Sequence, residues 1–250
     1  MDNQQEISVS SKKFRKKSII AFLVFIVVFV AAVFAWKWLR HQPEVAGAQK
    51  PLRKGLALDE KVFSKTLNKN HLAKTYPVSA AAKNVRVNGL IGLKSELDSS
   101  WKLKVVRSPG DTLFVSLDDI KSLPKTDITF DFKCIEGWSQ ISHWSGVKFS
   151  DFAKKYNLGL QTQLNYVGLS TPDKKYYVGI DMASMMHPQT LLCYEVNNKP
   201  LPLNNGYPLR LIIPVKYGIK NLKRIGTIYF SNTPPPDYWY ERGYDYYSGL

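Results

Sequence analysis

Nineteen consecutive uncharged residues, SIIAFLVFIVVFVAAVFAW from Ser18 to Trp36, constrain this chain more than any other feature. Wound as a helix they reach ~28 Å, about the thickness of a bilayer's hydrocarbon core, so the run predicts a transmembrane helix. Lys12, Lys13, Arg15, Lys16 and Lys17 precede it, and only Lys37 and Arg40 follow closely. That asymmetry puts a basic N-terminus, residues 1–17, in the cytoplasm and the chain beyond the anchor, residues 18–36, outside it. A cleaved signal peptide is the rival reading, but its apolar region would run about 7–15 residues with a small-residue cleavage site close behind. Here the run is longer and Ala46–Ala48 (AGA) lies distant from it, which favours an uncleaved anchor. The SKKFRKK segment lacks the arginine pair of a twin-arginine export signal. The expected location is the inner (cytoplasmic) membrane, single-pass, with the bulk of the chain on the periplasmic or extracytoplasmic side.

The anchor also explains part of the +15 formal charge, because residues 1–40 carry seven Lys/Arg against two acids. The rest is diffuse, and no helix-turn-helix, zinc-finger or RNP-like pattern accompanies it. Attraction to membrane lipid beside the N-terminal helix is the natural use of such charge, and no nucleic-acid partner is expected.

Residues 37–76 are polar and Lys-rich, with weak helical potential around Leu56 to Leu67, and read as a polar linker. From residue 77 to 250 the texture changes to short β-branched or alternating runs: VRVNGLIGL, WKLKVV, TLFVSL, DITFDFKC, LNYVGLS, KYYVGI, LLCYEV, LRLIIPV and IGTIYF. Short helices are expected over Ser116–Leu123, with its Ser-x-x-Asp start, over Lys148–Tyr156 and over Asp181–Met186 before Pro188. Many strands and few helices predict a sheet-rich, mixed α/β domain of the α+β class. No G-x-G-x-x-G or Walker loop is present, so familiar nucleotide-dependent chemistry is not expected.

One stretch asks for a chemical explanation: DFKCIEGWSQISHWSG, Asp131 to Gly146, which holds one of only two cysteines. Two cysteines make no disulfide framework and lack C-x-x-C spacing, although the sequence alone leaves a Cys134–Cys193 bridge open. An isolated Cys134 is either an inert buried thiol or a soft ligand or nucleophile. Glu136 lies two residues on, which in a strand would put both side chains on one face. Cys193, in the apolar run LLCYEV, reads as core, and His187 as a packed or capping residue.

The motifs CIEGWSQISHWSG, HPQTLL, NGYPLRLIIPVKYGIKNLK and PPPDYWYERGYDYYSGL follow one another in the order seen in the sulfite-oxidase superfamily of molybdopterin enzymes, which residues 85–250 resemble. Within it the sequence is most similar to catalytic subunits of bacterial periplasmic protein-methionine-sulfoxide reductases. The resemblance implies a sulfite-oxidase-type molybdopterin-binding fold and a molybdenum–molybdopterin cofactor (Mo-MPT) with Cys134 as the single protein ligand to the metal. It implies cofactor contacts at Asn205 and Arg210, at Asn221, Leu222 and Lys223, at Thr171, and at Asn88. Glu136 is either a solvated surface acid or the candidate catalytic acid, tuning or protonating an oxygen ligand near the metal, and the resemblance does not decide between them. Gly-Trp stands where sulfite oxidases commonly carry Asn-Arg after the Cys, and Asn205 stands where a His is often found, so sulfite is not the expected substrate. The implied reaction is oxygen-atom transfer, with reduction of a small or protein-bound oxo substrate such as a sulfoxide.

No C-x-x-C-H haem motif is present, so electrons are expected to pass to or from a membrane electron-transfer protein carrying haem or flavin. The alternative is a catalytically inactive, membrane-tethered binding or assembly module that keeps the fold.

Overall fold

The computed structural model describes residues 11–66, 70–87, 89–94 and 100–250. Helix α1 spans Ser11–Arg40 and buries none of its residues. By length and composition it is able to cross a membrane. The stretch read as a linker holds more structure than its composition suggested. A hairpin of β1 (Glu44–Val45) and β2 (Ala48–Gln49) leads into a seventeen-residue helix, α2 (Lys50–Thr66). The hairpin turns through Ala46 and Gly47, both at positive φ (50° and 76°), as a two-residue turn of the primed type requires. Pro51 stands in the first turn of α2, where its missing N–H has no helical partner to lose.

Two five-stranded sheets follow. In the first, β4 (Asp111–Val115), β3 (Leu103–Ser108), β12 (Thr227–Ser231), β7 (Tyr166–Ser170) and β8 (Tyr177–Asp181) lie side by side, and only the β12–β3 pair is parallel. The second sheet orders β10 (Lys199–Pro200), β9 (Leu191–Val196), β6 (Ser139–Lys148) and β5 (Lys125–Lys133), with β11 (Arg210–Ile212) also pairing β9. The chain is thus of the expected α+β, sheet-rich class. Its main core joins Leu103, Val105, Leu169, Ile180 and Ile228 of the first sheet to Val147, Leu192 and Leu211 of the second, with Phe149 and Phe152 beside them. A smaller cluster of Phe130, Phe132, Trp144, Cys193 and Ile212 also belongs to the second sheet.

Helix α3 (Leu117–Lys121) starts on a capping box between Ser116 and Asp119. Helix α4 covers Phe149–Lys155, and α5 (Met182–Met185) is capped by Asp181, which accepts from the Ser184 amide at 2.8 Å. Strand β6 was not expected, because SQISHWSGVK looks polar. It lies between β5 and β9 and is buried continuously over residues 142–147, so alternation is lost. Two of its buried polar side chains are paired inside: His143 hydrogen-bonds Thr129 at 2.8 Å and Asn198 at 3.1 Å, and Ser142 accepts from the Trp144 indole at 2.7 Å, whereas the Ser145 hydroxyl has no partner. Conversely, the run VRVNGLIGL forms no strand over its described residues, and Gly89 and Gly92 both take positive φ there. Asn88 lies outside the described residues. Both cysteines are buried and free.

Candidate active site

Strands β5 and β6 pair without a break from Lys125↔Val147 to Lys133↔Ser139, which carries the chain to a short loop at residues 134–138. Cys134 donates its amide to Trp138 O at 2.9 Å, and Gly137 donates to Cys134 O at 3.1 Å. Gly137 closes this turn at φ +88°, a left-handed conformation that explains why glycine follows Cys-Ile-Glu. Glu136 therefore belongs to the turn and not to a strand, and period-2 alternation does not set its direction.

The Cys134 side chain is only 4% exposed, yet it lines a cavity of about 110 Å³ together with Glu136, Tyr176, Lys223 and the tail residues Trp239 and Tyr244. Burial pushes its thiol pKa up, and the nearby Glu136 carboxylate adds to this. The sulfur therefore stays protonated unless a cation displaces the proton, as a thiophilic metal does. Glu136 is exposed at the same wall and accepts from the Trp138 indole at 2.9 Å. Trp138 in turn stacks on Phe132 and lies 4.5 Å beneath the Arg86 guanidinium.

Arg210 begins β11 opposite Cys193 and is 1% exposed. Its guanidinium lies 4.4 Å over the Trp144 ring, and one Nη donates to Asn205 O at 3.0 Å. Its Nε has no hydrogen-bond partner, and neither does the buried Nδ2 of Asn205. Arg210 enters none of the ion pairs found among the described residues. Burial drags its pKa down to about 10. Lys223 donates to Gly89 O at 2.8 Å and Asn204 O at 3.1 Å, and its pKa is pushed down to about 7 by burial and then by the like charge of Arg210. Lys223 faces the Cys134 cavity and Arg210 a smaller hollow against Phe132 and Trp144, so these cations and orphaned donors form a basic cradle behind the cavity wall, one that an anion such as a phosphate would satisfy.

Other residues of the basic segment have structural partners. Buried Lys216 pairs with half-buried Asp181 at 2.9 Å, and Lys220 with Asp237 at 2.5 Å, the latter pair buried at both ends. Asn221 lines the cavity, but its amide group braces the loop, accepting from Ile213 N at 2.6 Å and donating to Tyr217 O at 3.1 Å. Leu222 is wholly buried in the main core. Thr171 is absent from the cavity wall among the described residues. Its hydroxyl pins the turn after β7, donating to Asp173 at 2.6 Å and accepting from Tyr176 N at 3.2 Å.

That turn decides a choice the sequence left open. Tyr176 enters the cavity, its hydroxyl donating to Ile219 O at 2.6 Å, whereas Tyr177 turns outward to Glu241. Burial raises the Tyr176 pKa far above its ordinary value, so this hydroxyl keeps its proton. His187 is buried away from the cavity, between His71 O at 3.2 Å and the Gln189 amide at 3.3 Å. Cys193 sits in the core, its pKa pushed up to about 12 by burial.

A buried thiol near a basic cradle, on a two-sheet α+β scaffold, agrees with the class of molybdopterin oxidoreductases that the sequence resembles. Residues 91–239 match the oxidoreductase molybdopterin binding domain, and the chain belongs to that family. It is thus an oxidoreductase whose cofactor is molybdenum–molybdopterin. It is 36% identical over 183 residues to the provisionally named protein-methionine-sulfoxide reductase subunit YedZ1 of Azospira oryzae, covering 72% of this chain and 69% of that protein. It is 32% identical over 161 residues to the protein-methionine-sulfoxide reductase catalytic subunit MsrP of Xanthomonas campestris, covering 57% of this chain but only 48% of that protein. The sulfane dehydrogenase SoxCD from Paracoccus pantotrophus superposes with a TM-score of 0.47 at 16% identity, over 66% of this chain and 46% of its own.

Proposed function

We propose that this chain is a membrane-anchored, extracytoplasmic oxidoreductase that reduces an oxo substrate such as a sulfoxide at a molybdenum ligated by Cys134. The observation that carries this reading is Lys223, which lines the Cys134 cavity and feels the charge of Arg210, whose Nε, like Asn205 Nδ2, is buried without a partner. Among the described residues no group of three or more His, Cys, Asp or Glu side chains is placed to hold a metal. A single thiolate at Cys134 therefore suits a metal that arrives with other ligands from an organic cofactor. The bound molybdenum cofactor supplies two-electron oxygen-atom chemistry that side chains lack.

The chain's own residues have separable tasks. The Cys134 thiolate would bind the metal, while Arg210, Asn205 and the Lys223 ammonium would hold the phosphate. Glu136 receives the Trp138 N–H on Oε2, which leaves its other oxygen to hold or deliver a proton at the cavity wall. Tyr176, its proton committed to Ile219 O, shapes the cavity. Exposed Ile91 and Ile135 line this cavity, a surface suited to an oxo substrate with apolar substituents, small or protein-bound. Electrons would come from a membrane protein carrying haem or flavin. The presence of thiol and cradle together speaks against the inactive binding module.

The test is metal, pterin and turnover in protein purified with its cofactor-maturation machinery intact. Wild type should hold molybdenum and reduce sulfoxides with artificial donors, and Cys134→Ala should lose turnover. Molybdenum-free wild type, or unchanged turnover in Cys134→Ala, would overturn the proposal.

A further inference from the structure

We propose that α2 is an interfacial helix whose outward face lies on the anionic surface of the bilayer that α1 crosses, taking phospholipid headgroups along Lys50, Lys54, Lys61 and Lys65. The inference rests on α1 being a retained anchor. At ~100° per residue these four lysines fall within about 60° of one another, the row's centre lying about 90–150° around α2 from Arg53, Glu60 and Leu56. All four are exposed, and none enters the ion pairs found among the described residues. Beside the stripe Leu58 is 62% exposed, so the face combines a basic row with an apolar flank. Such a face fits the headgroup region, and each lysine near an anionic surface strengthens partition by about fivefold.

Continuity with the anchor selects lipid as the occupant. Only His41, Gln42 and Pro43 separate α1 from β1, a tether that reaches at most ~11 Å. The inward side of α2 is fixed to the domain. Arg53 is 7% exposed and donates to Tyr244 O at 2.7 Å, Tyr240 O at 2.9 Å, Val45 O at 3.3 Å and Ala46 O. Gly47 and Gly243 touch backbone to backbone: a Cβ on Gly243 would lie 2.7 Å from Gly47 O. Because Tyr244 lines the Cys134 cavity, lipid contact along α2 would also fix the attitude of the cavity mouth over the membrane.

Spin labels on the full chain in lipid nanodiscs test this, with Cys134 and Cys193 protected by burial. A nitroxide at Leu58→Cys should collide more with oxygen and several-fold less with an aqueous nickel chelate when about one-third of the phosphatidylcholine is replaced by phosphatidylglycerol. A label at Ser64→Cys should stay aqueous in both. Adding Lys50→Glu, Lys54→Glu, Lys61→Glu and Lys65→Glu should abolish the change at position 58. A label at Val27→Cys separates the two readings. If position 27 lies in lipid while position 58 stays equally open to nickel in both discs, the inference alone fails. If position 27 is aqueous, the anchor reading fails and takes the inference with it.

Discussion

Replacing Arg210 with Met should leave the cofactor-free fold nearly unchanged while emptying it of cofactor. In the wild type, burial moves the guanidinium pKa from 12.5 to about 10. At ~1.4 kcal/mol per tenfold, keeping this charge inside costs ~3 kcal/mol. The compensating contacts are the 3.0 Å bond to Asn205 O and the stacking 4.4 Å over Trp144. Together these are worth ~3–5 kcal/mol, so exchanging the side chain for an apolar one of similar length should change stability by no more than ~2 kcal/mol. With phosphate bound the balance differs, since Nε and a second N–H would donate to an anion at ~1.5–3 kcal/mol each. Losing both lowers cofactor affinity by ~100-fold or more. Chemical denaturation of cofactor-free protein and pterin content after maturation read the two effects separately. A variant that keeps its full pterin but loses more than ~4 kcal/mol of cofactor-free stability would show that Arg210 is a structural residue, and would refute the reasoning.

Further outcomes follow from other buried contacts. Asp181→Asn removes the partner of the buried Lys216 ammonium and should cost ~3–5 kcal/mol in urea unfolding. The Asp181 carboxyl is held below its ordinary value of 3.8, with the Lys216 charge and hydrogen bonds from Lys216 and Ser184 outweighing a burial penalty in the opposite sense. Its contribution is therefore present above pH 3.8 and lost as pH falls through the lower folded-state pKa, so the variant should show a shallower loss of stability in that acid range. Tyr176→Phe frees Ile219 O beside the cavity and should lower turnover several-fold, whereas Tyr177→Phe, on the outward side, should leave steady-state kinetics unchanged. Arg53→Ala strips the donor from four carbonyls and should speed hydrogen exchange over residues 44–66 and 240–244 without exposing the main core.

Local patterns were legible wherever one face of an element is wet. In β3, Leu103 and Val105 point inward and Lys104 outward, and Ser116–Asp119 announced α3 by its cap. Burial on both sides erased that signal in β6, where His143 bonds Thr129 and Asn198 and Ser142 accepts from the Trp144 indole. The turn that holds Glu136 was readable only through Gly137, because CIEGW resembles a strand continuation until the glycine is given its left-handed role. Long-range packing left no local trace: Trp239 and Tyr244 reach the Cys134 wall from about a hundred residues away, and Arg53 of the apparent linker grips the aromatic tail. Nor could composition tell Lys216 and Lys220, paired with Asp181 and Asp237, from Lys223 at the cavity. The register of KYYVGI needed the Thr171 turn to be seen before Tyr176 could be told from Tyr177.

X-ray absorption at the molybdenum edge tests the central claim most directly, comparing matured wild type with Cys134→Ser. Ligation by Cys134 predicts one fewer sulfur neighbour around the metal in the variant, with pterin content unchanged. An identical sulfur shell in the two proteins would contradict it.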